Sequence, residues 1–336
     1  VTAQLAVCLV LAFAYAVTNG FHDAANAIAA LVATRVAKPL PAALMAAVFT
    51  MAGPLLVGAA VADTIAGIVT VEGGPALAIV GSGLAGAVAW NVLTWQLGLP
   101  SSSGHALVGG LVGAALADAG SDAVRWGGFD GWRPVGVVGI LAALAAAPLL
   151  GALGGLVAVR IAQRGLRRAR REVAGPIKAG EWLMSAWLAF SHGANDAQKA
   201  VGVIAALLLA AGRSDTLSAP LWAVLAAGGA LTVGTALGGW SIVHTIGRRI
   251  YRVRPLDGLA SQAGSAAVIL ASSFAGAPVS TTHVVASSVV GVGAGRGKWT
   301  HVHWEVVREM GLAWLTTIPA TAALAALALV LWRAVA

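Results

Sequence analysis

Apolar runs of about 20 residues recur along the chain, each long enough to cross a hydrocarbon layer of ~30 Å. The pattern predicts crossing segments over 3–34, 42–62, 76–98, 100–118 and 135–159. A second set is expected over 181–212, 219–246, 257–275, 278–295 and 306–333. The two sets have the same design. Each begins with a long apolar stretch that a polar motif is expected to interrupt. Each also contains a segment opened by Gly-x-Pro, at Gly98-Leu99-Pro100 and Gly276-Ala277-Pro278. Proline disfavours helix at the residue before it, so these positions are expected breaks. The segments after them are either full crossings or re-entrant hairpins.

The polar positions are themselves duplicated. Asn19-Gly20-Phe21-His22-Asp23-Ala24-Ala25-Asn26-Ala27 recurs as His192-Gly193-Ala194-Asn195-Asp196-Ala197-Gln198-Lys199-Ala200. Pro100-Ser101-Ser102-Ser103-Gly104-His105 recurs as Pro278-Val279-Ser280-Thr281-Thr282-His283. Two different motifs repeated in one order mean a duplicated unit, and breakers and acids at membrane depth are the mark of a secondary transporter. We read residues 1–159 as a first repeat, 160–180 as a basic linker and 181–336 as a second repeat.

Loop charges give the sense of the repeat. The linker carries Arg160, Arg164, Arg167, Arg168, Arg170, Arg171 and Lys178, which places it in the cytoplasm. Loop 63–75 has no Lys or Arg, whereas its counterpart 247–255 has Arg248, Arg249, Arg252 and Arg254. Loop 119–134 is mixed, and its counterpart 296–300 has Arg296 and Lys298 without an acid. Loop 35–41 has Arg35 and Lys38, against Arg213 beside Asp215. Equivalent loops therefore prefer opposite sides. The expected fold is an all-α polytopic membrane protein of two inverted repeats, about five crossing segments each, with broken or re-entrant helices and both termini outside.

Composition agrees. The 336 residues are 59% hydrophobic and 10% charged, against about 25% charged in soluble domains, and mean hydropathy is +0.85. The 43 glycines suit closely packed helices in lipid. Cys8 stands alone, which excludes an intramolecular disulfide and a cysteine metal site. The net charge of +8 resides in loops and does not suggest nucleic acid. The first apolar stretch has no small-residue cleavage site and is read as a span, not a signal peptide.

The chemistry lies in the duplicated motifs. Asp23 and Asp196 occupy equivalent places deep in apolar sequence, where a charged carboxylate costs about 2.5 kcal/mol or more. They are read as sites for a coupling cation, Na⁺ or H⁺, with Asn26 and Asn195 as further oxygen ligands. A purely structural role, tying two broken helices together, is the alternative. Lys199, equivalent to Asn26, either pairs an acid or contacts an anionic substrate; the first is preferred. Ser101, Ser102, Ser103, Gly104, Ser280, Thr281 and Thr282 lie at expected helix starts. Ser and Thr there are ordinary N-caps, yet a helix N-terminus also holds anions. Two equivalent starts facing each other make a tetrahedral-oxyanion site, with Asn26 and Asn195 nearby. His105 and His283 are equivalent as well, either packing groups or groups that sense protons and orient the hydroxyl loops. His22, His192, His244, His301 and His303 rank lower, and His301-x-His303 is too isolated for a metal site.

These motifs resemble the PiT family of inorganic phosphate transporters, in its bacterial low-affinity permease form. The likeness rests on Gly193-Ala194-Asn195-Asp196-Ala197-Gln198-Lys199, on the two Ser/Thr motifs, and on Gly234-Thr235-Ala236-Leu237-Gly238-Gly239-Trp240 leading into Thr245-Ile246-Gly247. It implies cation-coupled uptake of inorganic phosphate by alternating access in the bacterial inner or plasma membrane, with no enzymatic activity and no cofactor. Phe21-His22-Asp23 stands where many members have Ala-Asn-Asp. It is similar to bacterial members that take phosphate with protons, often as a metal–phosphate complex. Thr50 stands where many relatives have Glu. A branch of the family carries sulfate, so a sulfate symporter is the alternative within transport, and a passive anion channel the alternative outside it. The bilayer and phosphate are the expected partners, and the sequence does not decide between a monomer and a homo-oligomer.

Overall fold

The computed structural model describes residues 2–99, 101–131, 133–168, 173–238, 243, 250, 251 and 253–335. Pro100, Arg170, Arg171, Gly239, Trp240, His244, Thr245, Ile246, Gly247, Arg248, Arg249 and Arg252, singled out above, lie outside the described residues. The first half contains α1 (Thr2–Ala33), α2 (Pro39–Leu56), α3 (Ala60–Ala66), α4 (Gly73–Gln96), α5 (Ser103–Ala119) and α6 (Gly136–Gly165). The second contains α7 (Ala174–Ala210), α8 (Leu221–Leu237), α9 (Pro255–Phe274), α10 (Thr281–Gly295) and α11 (Trp304–Val335). Helices α6 and α7 both extend into the basic segment read as a linker. A short antiparallel hairpin, β1 (Gly128–Asp130) and β2 (Arg133–Val135), precedes α6. The sequence reading did not anticipate it.

Among the described residues five helices, α1, α2, α4, α6 and α11, are long and apolar enough to cross a membrane. Two expectations need correction. The polar motifs do not interrupt the long helices: α1 runs unbroken for 32 residues and α7 for 37, about 48 and 55 Å at 1.5 Å per residue. The reason is local pairing along each helix. Asn26 donates to Asp23 at 3.1 Å, Lys199 donates to Asp196, and Gln198 donates to the Ala194 carbonyl at 2.6 Å. Side chains three residues apart pair with each other, and Gln198 with a carbonyl one turn back, so the backbone need not unwind. The second correction concerns span 42–62, which is two helices. Gly58, at φ +85°, ends the first one turn after Pro54.

The breaks at the Gly-x-Pro segments are present and alike. Gly98 and Gly276 adopt φ of +66° and +68°. Leu99 N–H donates to the Thr94 carbonyl and Ala277 N–H to the Ser272 carbonyl, both at 2.9 Å. This is the same left-handed helix stop twice. Each turn lies beside the motif of a long helix, so that α4 with α5 and α9 with α10 form two helical hairpins of the same design. Helices α5 and α10 have 17 and 15 residues. At about 25 and 22 Å they fall short of a full crossing.

The halves are interlocked by reciprocal exchange. α1 crosses α8 where Gly20 meets Gly234, and α7 crosses α2 where Gly193 meets Thr50 and Gly53. A Cβ at Gly193 would sit 1.9 Å from the Thr50 carbonyl oxygen, so only glycine lets these backbones touch. Likewise α6 packs Gly151 and Gly155 against Val284 and Ser288 of the second hairpin, while α11 packs Ile318, Thr321 and Ala322 against Gly109 and Gly113 of the first. Each half thus clamps the hairpin of the other. Cys8 is buried in this packing, its thiol directed at the Leu77 carbonyl.

Candidate functional site

The two long helices present Asp23 with Asn26, and Asp196 with Lys199, one turn apart on a single face. Against them come the starts of α5 and α10. Ser102 and Ser280 cap these helices, accepting from His105 N–H at 3.2 Å and His283 N–H at 3.3 Å. The next hydroxyl in each motif turns to the acid of its own half. Ser103 donates to Asp23 at 3.1 Å and Thr281 to Asp196 at 2.9 Å. These two bonds are the same interaction made twice, and they join the duplicated motifs into one centre.

Contacts also cross between the halves. Thr282 donates to Asp23 at 2.6 Å, and Asn26 donates to Thr282 at 3.1 Å and Thr281 at 3.4 Å. Lys199 donates to the Val279 carbonyl at 2.8 Å and reaches Gly104 of the first hairpin, where a Cβ would lie 3.3 Å from its Nζ. The His105 and His283 rings meet at 4.7 Å, and His283 stacks on Trp314 at 3.8 Å. His105 Nδ1 lies 2.8 Å from the Ser102 hydroxyl. Asp23, Asp196 and Lys199 are each no more than 3% exposed.

Two expected residues take other places. Ser101 donates to Thr94 at 3.0 Å and lies 3.5 Å from His22 Nε2. Asn195 donates to Ser273 at 3.1 Å and to the Ala277 carbonyl at 3.2 Å, so its amide pins the second hairpin's turn. Its equivalent, His22, pins the first turn through Thr94 at 3.1 Å. The Phe-His-Asp variant is thus accommodated as a turn-pinning pair. Sequence reasoning also ranked His192 too low. Its Nδ1 lies 2.6 Å from Asp196 Oδ2, a contact that four-residue spacing on a helix foreshadows. Tyr15, whose hydroxyl donates to the Ser103 carbonyl at 3.2 Å, carried no signal at all. Thr50, on α2, is buried against α7 and donates to the Ala189 carbonyl at 3.3 Å.

On one side of this centre a cavity of about 1210 Å³ opens, lined by Arg35, Tyr251, Arg254, Lys298, His301 and His303 among others. Arg35, Arg254, Pro255, Lys298 and Thr300, from loops assigned to one side by charge, meet here. Between cavity and centre lies a void of only 10 Å³ bordered by Asn26, Val253, Val285 and Val289, about one water's worth of space. Val253 borders both the cavity and this void.

Two helical hairpins, each presenting a capped helix start to a buried carboxylate across a duplicated frame, define a membrane transporter of the inverted-repeat class. The model of the phosphate transporter family matches residues 19–174 and again 164–325. The chain is 37% identical over 317 residues to a probable low-affinity inorganic phosphate transporter of Rhizobium meliloti, covering 92% of this chain and 90% of that one. It is 34% identical to a protein of the same description from Bacillus subtilis, covering 95% and 94%. A solved structure described as the sodium-dependent phosphate transporter shares the fold, with a TM-score of 0.86, 24% identity and 99% of this chain covered. The chain belongs to the phosphate transporter family.

Proposed function

We propose that this protein carries inorganic phosphate across the bacterial inner or plasma membrane together with a coupling cation, Na⁺ or H⁺, by alternating access. The observation that carries this reading is the convergence of two helix starts and their hydroxyls on two buried acids. Helix starts supply unpaired N–H groups and partial positive charge for an oxyanion. Ser102, Ser103, Gly104, Ser280, Thr281 and Thr282 form the phosphate-binding rim, with Ser101, Asn26 and Asn195 supporting it. Asp23 and Asp196 are the positions where positive charge accompanies the anion.

The shared hydroxyls give a physical basis for coupling. Ser103, Thr281 and Thr282 donate to carboxylates in this structure. A hydroxyl has one proton to donate. When a cation neutralises the carboxylate, that proton is free to turn to a phosphate oxygen. Cation and phosphate then favour each other's binding, as symport requires. Lys199, His105 and His283 hold this arrangement from below. The Arg- and Lys-lined cavity faces the cytoplasm under the charge rule and raises the local concentration of anions. Movement at Val253, Val285 and Val289 would connect it to the centre.

The test is radiolabelled phosphate uptake into proteoliposomes under imposed Na⁺ or H⁺ gradients, with sulfate as competitor. Uptake that follows one gradient and resists sulfate supports the reading and names the ion. Block by sulfate moves the substrate to that oxyanion. Uptake indifferent to every gradient indicates a passive channel.

A further inference from the structure

The two acids are equivalent in sequence but not in charge. Asp23 is met by neutral donors: Asn26, Ser103 and Thr282. The nearest titratable group, His22 Nδ1, stands 3.7 Å away. Asp196 is met by the Lys199 ammonium, with His192 Nδ1 at 2.6 Å. The difference comes from two linked departures from the internal repeat. Lys199 stands where the first copy has Asn26. Gly104 stands where the second hairpin has Thr282. The two departures touch: a Cβ on Gly104 would lie 3.3 Å from Lys199 Nζ and 3.7 Å from its Cε. The space that Thr282 fills beside Asp23 is the space the lysine tip approaches beside Asp196.

The chemistry of the exchanged groups differs in one decisive respect. An amide has a donor face and an acceptor face, so Asn26 can donate to Asp23 and, turned over, can offer an oxygen to a cation. Its Oδ1 has no hydrogen-bond partner among the described residues. An ammonium only donates. It cannot ligate a cation, and its own charge repels one. A hydroxyl such as that of Thr282 is a cation ligand as well; glycine offers none from its side chain.

We propose that Lys199 is a tethered cation that permanently fills the second of two equivalent cation positions, leaving Asp23 as the single position for an exchangeable coupling cation. The inference rests on the transport reading above and sharpens it. Each transported phosphate is accompanied by one cation drawn from solution and one carried by the protein. Gly104 is the companion residue that makes room for the ammonium.

The experiment counts cations per phosphate in proteoliposomes of the full chain. The count comes from the phosphate gradient that just balances an imposed Na⁺ or H⁺ gradient. Wild type is expected to give one. Lys199→Asn combined with Gly104→Thr, which rebuilds the first copy's chemistry at Asp196, is expected to give two and a steeper cation dependence. The mirror variant, Asn26→Lys with Thr282→Gly, is expected to exchange phosphate without following any cation gradient. A wild-type count of two overturns the proposal whatever the variants do. A rebuilt variant that keeps the wild-type count overturns it too, as does Lys199→Asn that only raises the phosphate constant, which would make Lys199 a substrate contact. If wild type moves no phosphate under any gradient, the transport reading fails instead.

Discussion

Replacing Asp196 with Asn removes the negative partner of Lys199, a residue only 1% exposed. The only other acceptor recorded for it among the described residues is the Val279 carbonyl at 2.8 Å. Leaving a buried charge without its partner costs about 3–5 kcal/mol. Replacing Asp23 with Asn is different. It weakens bonds from Ser103, Thr282 and Asn26, each worth ~1.5–3 kcal/mol at most when the acceptor is charged. It also removes a desolvated charge, a penalty of several kcal/mol by order of magnitude. The two effects offset, so Asp23→Asn should change stability by about 1 kcal/mol or less. Asp196→Asn should therefore lose at least ~2 kcal/mol more than Asp23→Asn, and adding Lys199→Asn should recover most of the loss. The assay is SDS-driven unfolding of the purified protein in mixed micelles, run as a double-mutant cycle. Equal losses for the two acids, or no recovery in the double variant, would refute the assignment of the pair as a buried ion pair.

Three further outcomes follow from the same geometry. Gly193→Ala forces a Cβ to within 1.9 Å of the Thr50 carbonyl oxygen and should cost about 1–3 kcal/mol by overpacking; Gly175→Ala, with nothing within 4 Å, should be neutral in the same thermal-unfolding measurement. Ser102→Ala with Ser280→Ala removes both caps, at about 1 kcal/mol each, and should raise the apparent phosphate constant; a stability loss with an unchanged constant would take phosphate away from the helix starts. Lys298→Glu places a negative charge on the basic cavity and should slow phosphate entry from that face at low salt, with the difference shrinking as salt screens it. Equal rates for wild type and variant at low salt would remove the cavity's role in gathering anions.

Much of this architecture is legible in the sequence, for identifiable reasons. Gly98 and Gly276 mark breaks because each sits just before an X-Pro step and can take a positive φ, and a capping serine, Ser102 or Ser280, stands two residues after each proline. Asp23 and Asp196 stand out because charge is rare in apolar sequence. What failed is equally specific. The interruption expected in α1 and α7 does not occur, because their polar side chains find partners along the helix and on the facing hairpins while the helical backbone stays intact. His22 and His192 carry little signal because they are not equivalent to each other, yet each contacts polar groups of its own half. The exchange of clamping helices, α6 onto α10 and α11 onto α5, depends on which glycine meets which backbone. Small-xxx-small spacing announces that helices pack closely and does not name the partner. The contact between Lys199 and Gly104 joins residues far apart in sequence and emerged only when the two repeats were interlocked.

The most direct measurement is equilibrium binding of radiolabelled phosphate to the purified protein, with and without the coupling cation, for wild type and Asp23→Asn. Shared hydroxyls predict that the cation tightens wild-type phosphate binding at least about tenfold, a coupling of ~1.4 kcal/mol, and that Asp23→Asn loses this response. Phosphate binding that ignores the cation in wild type, or responds to it equally in Asp23→Asn, would contradict a centre in which helix starts and buried acids bind anion and cation together.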